Sequence, residues 1–146
     1  MRTHIKNIFL ADDDNDEVVF FKDILGKITL ETKLTVFSNG EKLIDKLKEI
    51  DSPPDILLLD LEMPKLNGID VLMKINELNL LSTTPIVIYT VIKNELLIKK
   101  SFENGAWGYL IKPFDMEDLK PLIERLLIVD WQNFTIPDNL EDFIIS

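Results

Sequence analysis

Short apolar runs alternate with longer amphipathic stretches along most of the chain. Residues 8–11, 34–37, 56–59, 85–90 and 107–111 read as strands. The run at 56–59 is continuously apolar, as expected of a strand buried on both faces of a parallel sheet. Between the runs, apolar residues recur at helical spacing: Val18, Phe21, Ile24, Leu25 and Ile28, then Leu43, Ile44, Leu47 and Ile50, then Ile69, Leu72, Ile75 and Leu78. A fourth helix is predicted over about 94–104 with Gly105 as its stop signal, and a fifth carries Leu119, Leu122, Ile123 and Leu126 behind Asp115 as N-cap. Ser38-Asn39-Gly40 and Ser52-Pro53-Pro54 punctuate the chain. Five strands separated by helices predict a doubly wound α/β fold. Right-handed crossovers make its sheet parallel and cover both faces.

Composition narrows the classes. A chain of 146 residues, 46% hydrophobic, suits one domain with a full core. The absence of Cys removes disulfides, thiolate catalysis and zinc–thiolate sites. The first residues lack the apolar core of a signal peptide, and no run approaches the ~20 apolar residues that span a bilayer. The expectation is a soluble, cytoplasmic protein with no membrane contact. A net charge of -10 argues against direct nucleic-acid binding, which needs a basic surface. His4, the only histidine, precedes the first strand and is expected to be exposed.

The polar residues that interrupt this pattern fall at strand ends. The first strand ends on Asp12 and Asp13, the third on Asp60, the fourth on Thr90, and Lys112-Pro113 follows the fifth. In an open parallel sheet these ends share one edge, where ligands bind. Each has an ordinary reading: a helix cap for Asp12 and Asp13, a turn for Asp60, a strand residue for Thr90, surface for Lys112. Their convergence favours a site. Clustered carboxylates repel, and the remedies are protonation or a divalent cation. An all-oxygen set with few protein ligands suits Mg²⁺ working with a phosphate. Lys112 with Mg²⁺ would balance Asp12, Asp13 and Asp60, so a phosphoryl group meets no net repulsion. Asp60 then reads as a nucleophile forming an acyl phosphate, with Thr90 donating its hydroxyl to a phosphoryl oxygen.

These residues resemble the receiver domain of two-component response regulators. The resemblance runs from about Ile5 to Leu127. It rests on Asp12-Asp13, on Asp60 within Asp-Leu-Glu-Met-Pro followed by Gly68, on Thr90, and on Tyr109 with Lys112-Pro113. It implies a flavodoxin-like (βα)5 sheet of strand order 2-1-3-4-5. A receiver over 1–128 and a C-terminal extension over 129–146 complete the expected organisation. Asp60 would accept a phosphoryl group from a histidine kinase or phosphotransfer protein. Asp13 and Asp60 would hold Mg²⁺ by side chains, Glu62 by its backbone carbonyl and Asp12 largely through a water. The Lys112–Pro113 bond would be cis, aiming Lys112 into the site. Thr90 and Tyr109 would form the switch pair that alters helix four, strand five and helix five.

With no output domain expected, the signal passes to a protein target or onward by phosphorelay. The extension, with Trp131, Phe134 and Phe143, reads either as a tail packed on the domain or as a partner contact. A homodimer through helix four, strand five, helix five and this tail is one expectation. Val91 stands after Thr90 where the family has a smaller residue, and should narrow the approach to Asp60. Glu62 should alter the lifetime of the acyl phosphate, in either direction. Asp14 and Asp16 read as a solvated helix start.

Other families fit less well. Asp12-x-Asp14-x-Asp16 has calcium-loop spacing, but that motif needs Gly and Glu where Glu17 and Asp23 stand. A haloacid-dehalogenase-type phosphatase would use Asp12 as nucleophile and leave Asp60, Thr90 and Lys112 only partly explained. A flavin carrier would need a Gly/Ser/Thr-rich phosphate loop after the first strand, and none is present.

Overall fold

The computed structural model describes residues 6–145, so His4 and Ile5 lie outside the described residues. Strands β1 (Lys6–Ala11), β2 (Thr32–Phe37), β3 (Ile56–Leu59), β4 (Ile86–Thr90) and β5 (Gly108–Ile111) alternate with helices α1 (Asn15–Gly26), α2 (Gly40–Glu49), α3 (Gly68–Leu78), α4 (Glu95–Glu103) and α5 (Leu119–Ile128). Each helix starts where local chemistry starts it. Asp14, Asn39, Asn67 and Asn94 each accept a backbone N–H of the first turn through the side chain, which satisfies donors that the helix cannot. Asp115 does cap, but it caps a short 3₁₀ turn (Met116–Asp118), and α5 begins only at Leu119.

Alternation along the strands divides the core in two. Ile8, Leu10, Ile56, Leu58, Val87 and Leu110 pack with Phe21 and Ile24 of α1 and Leu122 and Leu126 of α5. Phe9, Ala11, Leu57, Leu59, Ile88 and Tyr109 pack with Leu43 and Leu47 of α2, Leu72 of α3 and Ile98 of α4. Successive side chains point to opposite faces, so a strand buried on both sides must be apolar throughout. All four residues of β3 are buried.

The sheet is wholly parallel, in the order β2-β1-β3-β4-β5-β6. The sixth strand corrects the expected five. After a 3₁₀ turn at Trp131–Asn133 and a short helix α6 (Leu140–Phe143), β6 (Ile144–Ile145) pairs with the outer edge of β5, Ile144 opposite Tyr109 and Ile145 opposite Leu110. Gly108 leaves the space for it: a Cβ there would stand 2.8 Å from Cδ1 of Ile145. The tail aromatics turn inward. Trp131 lies 4.8 Å from Phe134 and 6.0 Å from Trp107 between ring centroids, and its indole N–H donates to the Leu126 carbonyl. An edge strand displays unpaired N–H and C=O groups, and β6 covers part of that edge on β5. No described helix is long and apolar enough to cross a membrane.

Candidate functional site

Backbone hydrogen bonds bring the strand ends together before any side chain is considered. Asp12 N–H donates to the Phe37 carbonyl (3.0 Å), Asp60 N–H to that of Ala11 (3.0 Å) and Lys112 N–H to that of Thr90 (2.8 Å). The loop after Asp60 folds back on itself, with Gly68 N–H donating to the Leu61 carbonyl at 3.1 Å. Gly68 packs so closely that a Cβ would lie 2.5 Å from the Asp60 carbonyl oxygen and 2.8 Å from Cα of Leu61. Those neighbours are backbone and cannot step aside, so this position admits only glycine.

Lys112 is the hub of the side chains. Its Nζ donates to Asp12 Oδ2 at 3.0 Å, to Asp60 Oδ2 at 2.9 Å, and to Glu17 Oε2. It also stands 4.7 Å from the centroid of the Tyr89 ring, whose face attracts a cation. Only 7% of the Lys112 side chain is exposed, against 1% for Asp12 and 9% for Asp60. Burial alone would lower the Lys112 pKa, but the charges of Asp60, Glu17 and Asp12 outweigh it and hold the ammonium above its ordinary value. Burial pushes the Asp12 carboxyl up to about 6 from 3.8, against the opposing pull of the Asp14 N–H and Lys112, while Glu17 raises it further.

Carboxylate oxygens of Asp12, Glu17 and Asp60 all lie within 4.8 Å of one another. This set fits a divalent cation. Its donors are hard oxygens, and three carboxylates face the single ammonium of Lys112, so the cluster carries negative charge that a cation would offset. Asp13 is exposed and is not among the three that converge. Glu62 is exposed as well, and its N–H donates to Asp60 Oδ1 at 3.2 Å. No described peptide bond is cis, so the Lys112–Pro113 bond is trans, contrary to expectation. Lys112 reaches the carboxylates regardless, through its flexible four-carbon stem and the three anions that hold its end.

Thr90 and Tyr109 are fully buried, and both fasten to Ile92. Ile92 N–H donates to Thr90 Oγ1 (3.4 Å), and the Tyr109 hydroxyl donates to the Ile92 carbonyl (2.6 Å). Burial, and then the charge of Asp60, push the Tyr109 phenol up to about 12. Val91, between them in sequence, is exposed.

Sequence reasoning missed Glu17 and Tyr89. Tyr89 is a strand residue whose ring happens to lie under Lys112, which no spacing rule announces. Glu17 left only a weak signal, an acid in the first turn of a helix that opens directly from a site strand, which capping ordinarily explains.

Known proteins place this chain in a family. Residues 8–124 match the family model of the response regulator receiver domain. The probable methanogenesis regulatory protein FilR2 of Methanothrix harundinacea is 28% identical over 123 residues, covering 82% of this chain and 79% of the relative. The transcriptional regulatory protein CrdR of Helicobacter pylori is 30% identical over 120 residues, covering 82% of this chain and 54% of CrdR. An uncharacterized response regulatory protein of Vibrio cholerae is 30% identical, and the match takes in 46% of its length. The chain thus spans about half the length of these last two relatives.

Among solved structures, the phosphorylated cyanobacterial phytochrome response regulator RcpA superposes with a TM-score of 0.80 at 24% identity, over 92% of this chain and all of that one, which shows a shared fold. The Mn²⁺-bound response regulator Rcp1 gives 0.76 at 27% identity, over 90% of this chain and 99% of that one. The phosphatase alternative built on Asp12 finds no support here. With Asp12 committed to Lys112 and the Asp14 N–H, and with the family match spanning β1 to α5, the chain belongs to the response regulator receiver domain family.

Proposed function

We propose that the chain accepts a phosphoryl group on Asp60 from a histidine kinase or phosphotransfer protein. The observation that carries this reading is the convergence of a buried ammonium, Lys112, on two buried carboxylates, Asp60 and Asp12, at the C-terminal edge of the sheet. An oxygen of Asp60 attacks phosphorus as the bond to the donor nitrogen or oxygen breaks, leaving an acyl phosphate. Little covalent work falls to the protein in such a transfer, and positioning with charge compensation does most of it.

Asp12 and Asp60, with the neighbouring Asp13 and the Glu62 carbonyl, are the groups that would hold Mg²⁺. The bound ion would neutralise charge on the phosphoryl oxygens. Lys112 supplies the remaining positive charge, and Thr90 would donate its hydroxyl to the phosphoryl group. Because Thr90 and Tyr109 both bind Ile92, a shift of Thr90 toward the phosphoryl group would loosen the loop that holds the Tyr109 hydroxyl and so change the surface of α4 and β5. Incubation with acetyl phosphate and Mg²⁺, followed by borohydride trapping and peptide mapping, is expected to place the label on Asp60. Label on Asp12 would overturn the assignment.

The donor protein must dock beside Asp60. Val19 and Phe20 on α1 and Phe114 after Lys112-Pro113 are large, apolar and exposed, as a docking surface requires. The output is a protein contact or onward phosphorelay, consistent with a net charge of -10 that disfavours nucleic acid. A homodimer through α4, β5 and α5 would have to include the tail, since β6 sits on the β5 edge. Light scattering with and without beryllofluoride tests it.

Val91 follows Thr90 directly and is exposed, so its β-branched side chain would crowd a small donor approaching Asp60. Val91→Ala is expected to speed phosphorylation by acetyl phosphate by about tenfold, the lower end of the discrimination that one methylene gives. An unchanged rate removes the steric role.

A further inference from the structure

Glu17 has no part in the mechanism above, yet its carboxylate is one of three that hold Lys112. Its presence there follows from how α1 begins. Asp14 caps the helix, its Oδ1 accepting from Asp16 N–H at 3.0 Å and Glu17 N–H at 3.1 Å. An acid three residues past such a cap ordinarily reaches back to the N–H of the capping residue. Here that N–H, of Asp14, already donates to Asp12 Oδ1 at 3.0 Å. Glu17 is therefore released from capping, and its carboxylate turns to the Lys112 ammonium.

We propose that Glu17 is a positioning residue for phosphoryl transfer, one that keeps the Lys112 ammonium aimed at Asp60; the proposal rests on Asp60 being the phosphoacceptor. An ammonium has three N–H donors, and Asp12, Asp60 and Glu17 supply an acceptor for each. Two of those acceptors have other work. Asp60 takes the phosphoryl group, and Asp12 belongs to the set that would hold the cation. Glu17 shares their oxygen cluster, but it takes no phosphoryl group and is not among the residues assigned to Mg²⁺ above, so it is the acceptor left to act as anchor. It is fixed to the first turn of a capped helix, whereas the Lys112 stem is long and flexible. When Asp60 becomes an acyl phosphate, Lys112 needs to move only its Asp60 bond to a phosphoryl oxygen while Glu17 keeps hold of the ammonium.

The test is a double-mutant cycle on the full chain, with acetyl phosphate as donor, saturating Mg²⁺, and label mapped by mass spectrometry. Glu17→Ala is expected to slow labelling of Asp60 about tenfold, the usual cost of losing a residue that orients a charged group in such a site. Glu17→Gln, which keeps an acceptor oxygen, is expected to recover most of that loss. In a Lys112→Ala background, Glu17→Ala is expected to add nothing. Calorimetric Mg²⁺ affinity and the thermal midpoint, read on the same variants, separate positioning from lost metal binding or lost fold. Glu17→Ala labelling Asp60 as fast as the parent, or losing tenfold without Lys112 as well, would overturn the role of Glu17 alone. Label absent from Asp60 in the parent chain would overturn the phosphoacceptor reading and this proposal with it.

Discussion

Asp12→Asn is expected to make the metal-free protein more stable while weakening its hold on Mg²⁺. The Asp12 side chain is 1% exposed, and burial raises its carboxyl to about 6 from 3.8. An acid whose folded pKa lies above its unfolded value binds protons more tightly in the folded state. Its contribution to stability is fully present below pH ~4 and is lost as pH rises through ~6. At pH 7.5 the ionised Asp12 therefore weighs against folding by about 3 kcal/mol, from a shift of roughly two units at 1.36 kcal/mol each. Asparagine removes that charge and keeps an Oδ1 to accept the Asp14 N–H. Urea unfolding without Mg²⁺ should show Asp12→Asn ahead by about 3 kcal/mol at pH 7.5, with the gap closing by pH 4 as the parent protonates.

Calorimetry should show the opposite sign for the metal. Mg²⁺ affinity is expected to fall about 10- to 100-fold, the range for losing a group that supports a metal site. Added Mg²⁺ would then stabilise the parent far more than the variant, through binding to the folded state alone. A variant less stable than the parent at pH 7.5, or one that binds Mg²⁺ equally well, would contradict the view of Asp12 as a residue kept at a cost to folding.

What made Asp12 legible in the sequence was its placement. Alone, a carboxylate at the end of an apolar strand reads as a cap or a turn; with Asp60, Thr90 and Lys112 on the same sheet edge it reads as part of a site. The α/β alternation was equally plain, because strands buried on both faces leave unbroken apolar runs and helices leave a 3.6-residue period. Glu17 escaped because its signature, an acid in the first turn of a helix, is satisfied by capping or by the helix dipole in most proteins. Only the hydrogen bond from Asp14 N–H to Asp12 reveals that its usual task is taken. The sixth strand escaped for a different reason. Two residues carry no periodicity, and Ile144-Ile145 becomes a strand because β5 offers an open edge and Gly108 leaves room, both properties of distant residues. The Lys112–Pro113 bond was expected to be cis by resemblance alone, and nothing in the local sequence chooses the isomer.

Phe143→Ala is expected to cost about 3 kcal/mol and to free β6 from the sheet. A two-residue strand cannot hold itself in place, so the energy that seats it must come from its neighbours. Phe143 precedes it, is 1% exposed, and meets Phe102 of α4 edge-on at 5.3 Å between centroids and 82° between planes. A buried Phe contributes its transfer energy and fills a volume that the rigid sheet cannot close, so truncation to Ala typically costs ~3–5 kcal/mol. The lower end applies because the tail can partly collapse onto α4. Urea unfolding measures the loss, and amide hydrogen exchange locates it: the β5 amides that point toward β6 should lose protection while β1 and β3 keep theirs. Ile128→Ala, at a side chain 71% exposed, serves as the contrast and should change stability by less than ~0.5 kcal/mol. A cost below ~1 kcal/mol for Phe143→Ala would mean that the tail merely rests on the domain. A cost near 3 kcal/mol would make the tail part of the core that surrounds Tyr109. The hydroxyl of that residue is held by the loop after Thr90 while its backbone pairs with β6, so any change at Thr90 that moved Tyr109 would reach the tail directly.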